Sequence, residues 1–242
     1  MAQLTLLAAV SFLAGAVAAL SGFGIGSLLT PVLAAQVGTK LAIAAVSVPH
    51  LAATALRLWL LRGHVDRRLL LSFGLMSAAG GLTGALVHAY AESPALTIVF
   101  GILLTFTGAM GISGLTDRMR FHGWVAWVAG AISGALGGLV GNQGGIRSAA
   151  MLGFDVSRHS FVATATAVGV IVDAARMPVY LYSEGRQVIT LWPELTTATA
   201  GAVVGTLIGS RLLKRIPETI YRKLVAALVL SLGIYMLLRG GG

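Results

Sequence analysis

The chain has no cysteine among its 242 residues, which excludes disulfides, thiol nucleophiles and thiolate-bound metals. Charge is also scarce: 10% of positions are Asp, Glu, Lys or Arg, against about 25% in an ordinary soluble domain. Acid is the scarcest, with 8 Asp and Glu against 17 Lys and Arg. No polar stretch exceeds roughly a dozen residues, which leaves no place for a soluble domain, including the nucleotide-binding domain that ATP-driven transport would need. No His, Asp or Glu cluster has metal-ligand spacing and no nucleophile stands beside a base. Neither an enzyme nor a cofactor is expected.

Apolar sequence fills the space left by charge. Hydrophobic residues make up 57% of the chain and mean hydropathy is +0.89. Leu69 to Ala91 and Ala95 to Leu115 carry no charged side chain; each is long enough to cross a hydrocarbon core of about 30 Å at about 1.5 Å per residue. Such unbroken runs are not the alternating strands of a membrane β-barrel. Met1 to Ala19 lacks a basic start and flows into a Gly-rich stretch, so it reads as a first span rather than a cleaved signal. The net charge of +9 reads as cationic loops held at an anionic leaflet of membrane lipid; no nucleic-acid partner is expected. The expected apolar segments are 4–20, a Gly-broken 21–36, 40–61, 69–90, 95–115, 124–140, a Gly-broken 141–154, 159–182, 188–210 and 219–238, with Ser183 to Gln187 among the hydrophilic interruptions. The expected location is a cell (inner) membrane, crossed many times.

The chain also repeats itself. Leu20-Ser-Gly-Phe-Gly-Ile-Gly26 and Leu139-Val-Gly-Asn-Gln-Gly-Gly145 lie 119 residues apart. With Gly22 set on Gly141, no gap is needed for 35 further residues, and Arg57 falls on Arg176. Gly80-x-x-x-Gly84 matches Gly201-x-x-x-Gly205, a spacing that lets helix backbones approach closely. A single transporter domain, 1–242, is therefore read as repeat 1 over about 1–122 and repeat 2 over about 123–242. If both Gly-broken segments cross, the halves are inverted. Nine basic residues (Arg62, Arg67, Arg68, Arg118, Arg120, Arg158, Arg211, Lys214, Arg215) then share one side, against Lys40, Arg186 and Arg239 on the other. Re-entrant segments would make the halves parallel and the split seven to five. The positive-inside rule favours inversion, with the N-terminus outside. The fold class expected is an all-α polytopic membrane protein with two homologous halves of four to five transmembrane segments each, inverted, and a Gly-broken helix in each.

Freed backbone groups at such breaks cannot face lipid, so Gly22, Gly24, Gly26, Gly141, Gly144 and Gly145 either pack helices closely or line a cavity. A helix starting after a break points its positive end at that cavity, which suits an anion. Asn142 and Gln143 sit inside the second break as amide donors, and Arg147 follows it. Ser47, His50, Thr54 and Arg57 stand on one helical face at intervals of 3, 4 and 3; their partners are Thr166, Gly169, Asp173 and Arg176. Arg57 and Arg176 can hold an oxyanion bidentately, or snorkel to headgroups, or in the case of Arg176 pair with Asp173 one turn away. His50, Thr54 and Asp173 are the coupling or gating candidates, with protons as the candidate coupling ion and Asp173 the leading acid. His88 and Glu194 read as interfacial.

At these residues the chain resembles the sulfite exporter TauE/SafE family, also called the toluene-sulfonate uptake permease family. The resemblance rests on the duplicated motif (Gly22 to Pro31, Gly141 to Gly153), the late arginine of the next helix, the Gly-x-x-x-Gly helix and the Pro217-to-Tyr235 ending, and covers nearly the whole chain. It implies a secondary transporter, an exporter by the usual assignment, of sulfite, organosulfonates or related sulfur-containing or organic anions. Asn142, Gln143, Arg147 and Ser27 depart from the family's plainer glycine pattern, and substrate identity is expected to be written there. Alternating access is expected from one half rocking against the other. A passive anion channel and a non-transport scaffold or assembly factor are the rival readings; monomer and homodimer both stay open.

Overall fold

The computed structural model describes residues 2–22, 24–115, 123–142, 144, 147, 151, 157–213 and 218–240. Gln143 and Gly145, together with Arg118, Arg120, Lys214, Arg215 and Pro217, lie outside the described residues. The described elements are helical: α1 Ala2–Ser21, α2 Ile25–Val37, α3 Thr39–Leu61, α4 Arg67–Tyr90 with a π-turn at Leu70–Gly74, α5 Ser93–Ser113, α6 Trp124–Val140, α7 Arg158–Thr190, α8 Trp192–Leu213 and α9 Glu218–Gly240. Five described helices are long and apolar enough to span a membrane: α1, α3, α4, α5 and α7. At about 1.5 Å per residue, the 13 residues of α2 reach only about 20 Å.

One boundary departs from the sequence reading. Ser183 to Gln187 is not an interruption: α7 runs through it for 33 residues, and the break comes at Leu191. The polar residues there are absorbed by neighbours rather than by a loop. Lys40 lies 3.5 Å from Glu184, and Gln187 donates to Glu184.

Glycines set the packing. A Cβ on Gly84 would stand 2.0 Å from the Ala135 carbonyl and one on Gly138 would stand 1.9 Å from that of Gly81, so α4 and α6 touch backbone to backbone. Gly205 meets the Phe12 carbonyl at 2.0 Å and Gly15 that of Ala202 at 2.2 Å, which locks α8 to α1 in the same way. Both pairs run parallel: Gly134 meets Ser77 where Gly138 meets Gly81, and Gly201 meets Ala8 where Gly205 meets Phe12. A third pair, α5 and α9, runs antiparallel, Gly101 against Leu237 and Gly108 against Leu230.

Between these pairs lie α3 and α7, also antiparallel, with His50 on Asp173 and Arg57 on Thr166. One end of the bundle gathers Lys40, which bonds the Ala89 carbonyl and Ser93 Oγ, and Thr39, which bonds Thr97. The other end gathers the turn after α3, where Ser160 donates to the His64 carbonyl and the Asp66 N–H donates to Thr164. Helix α2 returns along α3 and joins it through Gly38 alone, held at φ 82°.

Candidate functional site

The ends of α1 and α6 are built alike. α1 ends where the Gly22 N–H donates to the Ala18 carbonyl, and α6 ends where the Gly141 N–H donates to the Gly137 carbonyl, 119 residues on. Gly22 has φ 81°, Gly24 φ 129° and Gly141 φ 73°, a region other residues enter only with strain. The same carbonyls also accept from an arginine. Arg57 donates from Nη1 to Ala18, and from Nη2 to the Gly22 carbonyl at 3.1 Å. Arg176 donates from Nη1 to Gly137. Each arginine therefore ties the end of the broken helix to the long helix that follows the break.

The two breaks meet. A Cβ on Gly26 would lie 2.5 Å from the Gly141 carbonyl, so only glycine lets α2 start there. Around this contact lies a small cavity of about 330 Å3, mouth included. Its wall is made by Gly22, Gly24, Gly26 and Ser27 of the first break, by His50, Thr54 and Arg57 of α3, and by Gly141, Asn142, Gly144 and Arg147 of the second break. Gly26 and Ser27 of this wall stand in the first turn of α2, where helix N–H groups have no partner inside the helix.

Charge in this wall is one-sided. Arg57 and Arg147 are 5% and 4% exposed, and no Asp or Glu lines the cavity among the described residues. Arg57 spends three donors on Ala18, Gly22 and Thr166, the last from Nε at 2.9 Å. Arg147 is less engaged. Its Nη1 donates to the Ala165 carbonyl at 2.9 Å, while Nε and Nη2 have no hydrogen-bond partner among the described residues. Asn142 Nδ2 and Thr54 Oγ1 are buried and unpartnered as well. A buried donor left unpaired costs about 1–3 kcal/mol, and more when charged. Four such atoms around one cavity mark a surface built for an acceptor.

The second half's arginine differs from the first. Arg176 does not line the cavity. Its Nε and Nη2 hold Asp173 Oδ1 at 3.0 and 2.8 Å, and its guanidinium lies over the Tyr180 ring. Tyr180 donates to the Gly138 carbonyl. Asp173, fully buried, accepts from His50 through its other oxygen at 2.6 Å. So, among the described residues, Arg57 and Arg147 stand without a carboxylate in contact, while Arg176 is neutralised by Asp173.

Two residues gain roles the sequence did not show. Gly169, the repeat partner of His50, makes room: a Cβ there would lie 3.1 Å from Arg147 Nη1 and 3.3 Å from Thr54 Cγ2. Tyr180, one turn beyond Arg176 on the same face, was findable by that spacing. His88 is fully buried rather than interfacial, bonded to the Leu139 carbonyl at 2.9 Å and packed on Tyr180. Ser27, Asn142 and Arg147, three departures from the plainer glycine pattern, all line the cavity.

A family model described as Sulfite exporter TauE/SafE matches residues 7–236. No curated protein and no solved structure matches the chain.

Proposed function

The chain belongs to the sulfite exporter TauE/SafE family of membrane transporters, and from that premise we propose that it is a secondary transporter of a small oxyanion such as sulfite or an organosulfonate. The observation that carries the reading is the buried Arg147 guanidinium, with two donor nitrogens unpartnered among the described residues beside a cavity that no described acid lines. Arg147, Asn142, Thr54 and the first-turn N–H groups of α2 form the anion seat. Arg57 adds its charge from the wall while holding α1. Arg176 acts as the structural counterpart of Arg57, its charge spent on Asp173.

The two halves are inverted repeats. The support is that equivalent helices touch antiparallel, α3 with α7 and α5 with α9, as inversion about an in-plane axis requires. Exchanging the halves also turns the α1–α8 pair into the α6–α4 pair. The positive-inside count then puts the Arg62 end in the cytoplasm of a cell whose inner membrane holds the protein.

The halves themselves are not the moving bodies in this reading. The most extensive helix contacts, α1 with α8, α4 with α6 and α5 with α9, all join one half to the other. The bodies that move are mixed: α1, α2, α3 and α8 against α4, α6 and α7, sliding where α3 meets α7.

The test is flux in proteoliposomes across sulfite, sulfonates and small carboxylates. Anion flux that Arg147→Ala abolishes supports the reading. Flux of none of these anions, or flux unchanged in Arg147→Ala, refutes it and favours a scaffold. Dissipative flux with no counterflow points instead to a channel.

A further inference from the structure

We infer that the anion is carried together with a proton, taken up on Nε2 of His50, so that the transported unit is one anion plus one proton. The inference rests on the anion reading above and adds its coupling ion.

The geometry separates three linked groups by access. His50 Nδ1 lies 2.6 Å from Asp173 Oδ2, and Asp173 Oδ1 is held by Arg176. With the imidazole neutral, Nδ1–H donating to the carboxylate, the three groups sum to no net charge. Asp173 is fully buried and does not line the cavity, whereas His50 does, with 15% of its side chain exposed. A proton arriving from cavity water therefore meets the ring and not the carboxylate. The lone pair on Nε2 accepts it from hydronium, leaving water. The imidazolium then keeps Nδ1–H on Asp173 and turns Nε2–H to the cavity, and the reverse transfer to water releases the proton.

What makes this coupling rather than a standing charge is the rest of the wall. On its own helix His50 faces Arg57; the segment after the second break brings Arg147; α7 brings Asp173 and Arg176. Helix α2 brings Ser27 and Thr30 and no ionisable side chain, and the acid of α8, Glu194, sits in that helix's first turn. In the empty cavity, two guanidiniums that touch no carboxylate among the described residues disfavour a third cation. A bound oxyanion reverses that sign. By linkage the anion then draws the proton in, and the proton tightens the anion by the same factor. Asp173, the carboxylate in contact with His50, holds the ring in place with Nε2 directed away from itself.

The experiment uses the purified full chain and three probes: sulfite, corrected for its own ionisation, sulfate and methanesulfonate. Calorimetric titration in two buffers of different ionisation enthalpy counts protons bound per anion. The wild type is expected to take up a fraction of a proton per anion on binding, largest where its affinity changes most steeply with pH. Its affinity should weaken roughly 5- to 150-fold, the usual span of site-to-site coupling, as pH rises. His50→Gln is expected to bind with weaker affinity that no longer changes with pH, and with no proton uptake. The wild type alone supplies a second measurement: an acid-outside gradient across proteoliposomes should drive accumulation of the anion inside. Binding with no proton uptake, or uptake undiminished in His50→Gln, or flux indifferent to the pH gradient overturns the coupling and leaves the anion site standing. Binding of none of the three probes overturns both.

Discussion

Replacing Arg147 by Met trades a buried guanidinium for an apolar side chain of similar length, and it should move affinity and stability in opposite directions. The donors lost are Nε and Nη2, which have no partner in the empty site. A hydrogen bond from a charged group contributes about 1.5–3 kcal/mol, so the pair contributes about 3–6 kcal/mol to anion binding. At about 1.4 kcal/mol per tenfold, the variant should bind anion roughly 100- to 10,000-fold more weakly. Stability of the empty protein responds the other way. Arg147 keeps one bond, to the Ala165 carbonyl, which supplies about 1.5–3 kcal/mol; Arg147 is 4% exposed and touches no carboxylate among the described residues, and an unpaired buried charge costs several kcal/mol. The Met variant should therefore melt at or above the wild-type temperature in detergent. Adding anion at about 100 times the wild-type Kd should stabilise the wild type by about 2.7 kcal/mol, a rise of roughly 5–10 °C for a chain of this size. The variant should show no such rise. A Met variant that binds within about threefold of wild type would refute the assignment. So would one that melts well below it yet keeps the anion-induced shift.

Three other outcomes follow from the same geometry. Arg57→Gln removes the donors on Ala18, Gly22 and Thr166 and should cost about 1–3 kcal/mol of stability for each acceptor left unpaired, read as a lower melting temperature and poor yield. Gly138→Ala places a Cβ 1.9 Å from the Gly81 carbonyl; α4 and α6 must part, a loss of about 1–3 kcal/mol or more, seen in thermal melting and absent from Gly63→Ala, where a Cβ meets open space. Because the chain has no cysteine, His64→Cys and Gln187→Cys can be labelled singly in intact cells or spheroplasts. Impermeant maleimide should reach Gln187→Cys and not His64→Cys, and equal labelling of both would defeat the proposed topology.

Much of the site was legible in the chain because its logic is local. The 119-residue repeat, the glycine breaks and the late arginines all lie within single helices or their ends, where spacing of three and four residues reports a face. The pairing of Arg176 with Asp173, three positions apart, was open to the same reading. What spacing does not report is how far one helix slides along another. That His50 meets Asp173, and that Arg57 reaches back to Ala18, depend on the antiparallel register of α3 with α7 and on the fold-back after α1. The role of Gly169 was hidden for the same reason: an empty place becomes legible only when the side chain that fills it, Arg147, is known. The end of α7 was misjudged because polar Ser183 to Gln187 looks like a loop until Lys40 is found opposite Glu184.

The glycine-on-backbone pairs also bear on how the molecule is made. Helix α1 leaves the ribosome nearly 200 residues before α8, its closest partner, and α4 well before α6. Until then, the grooves at Gly15 and at Gly80 and Gly84 have only lipid, or an insertase, against them. Synthesis stopped at residue 122 would leave a set of inserted spans without their deepest contacts, an early target for membrane proteases. Supplying residues 123–242 as a separate polypeptide should rescue the first fragment, because the most extensive helix contacts, α1 with α8, α4 with α6 and α5 with α9, each form between the two pieces.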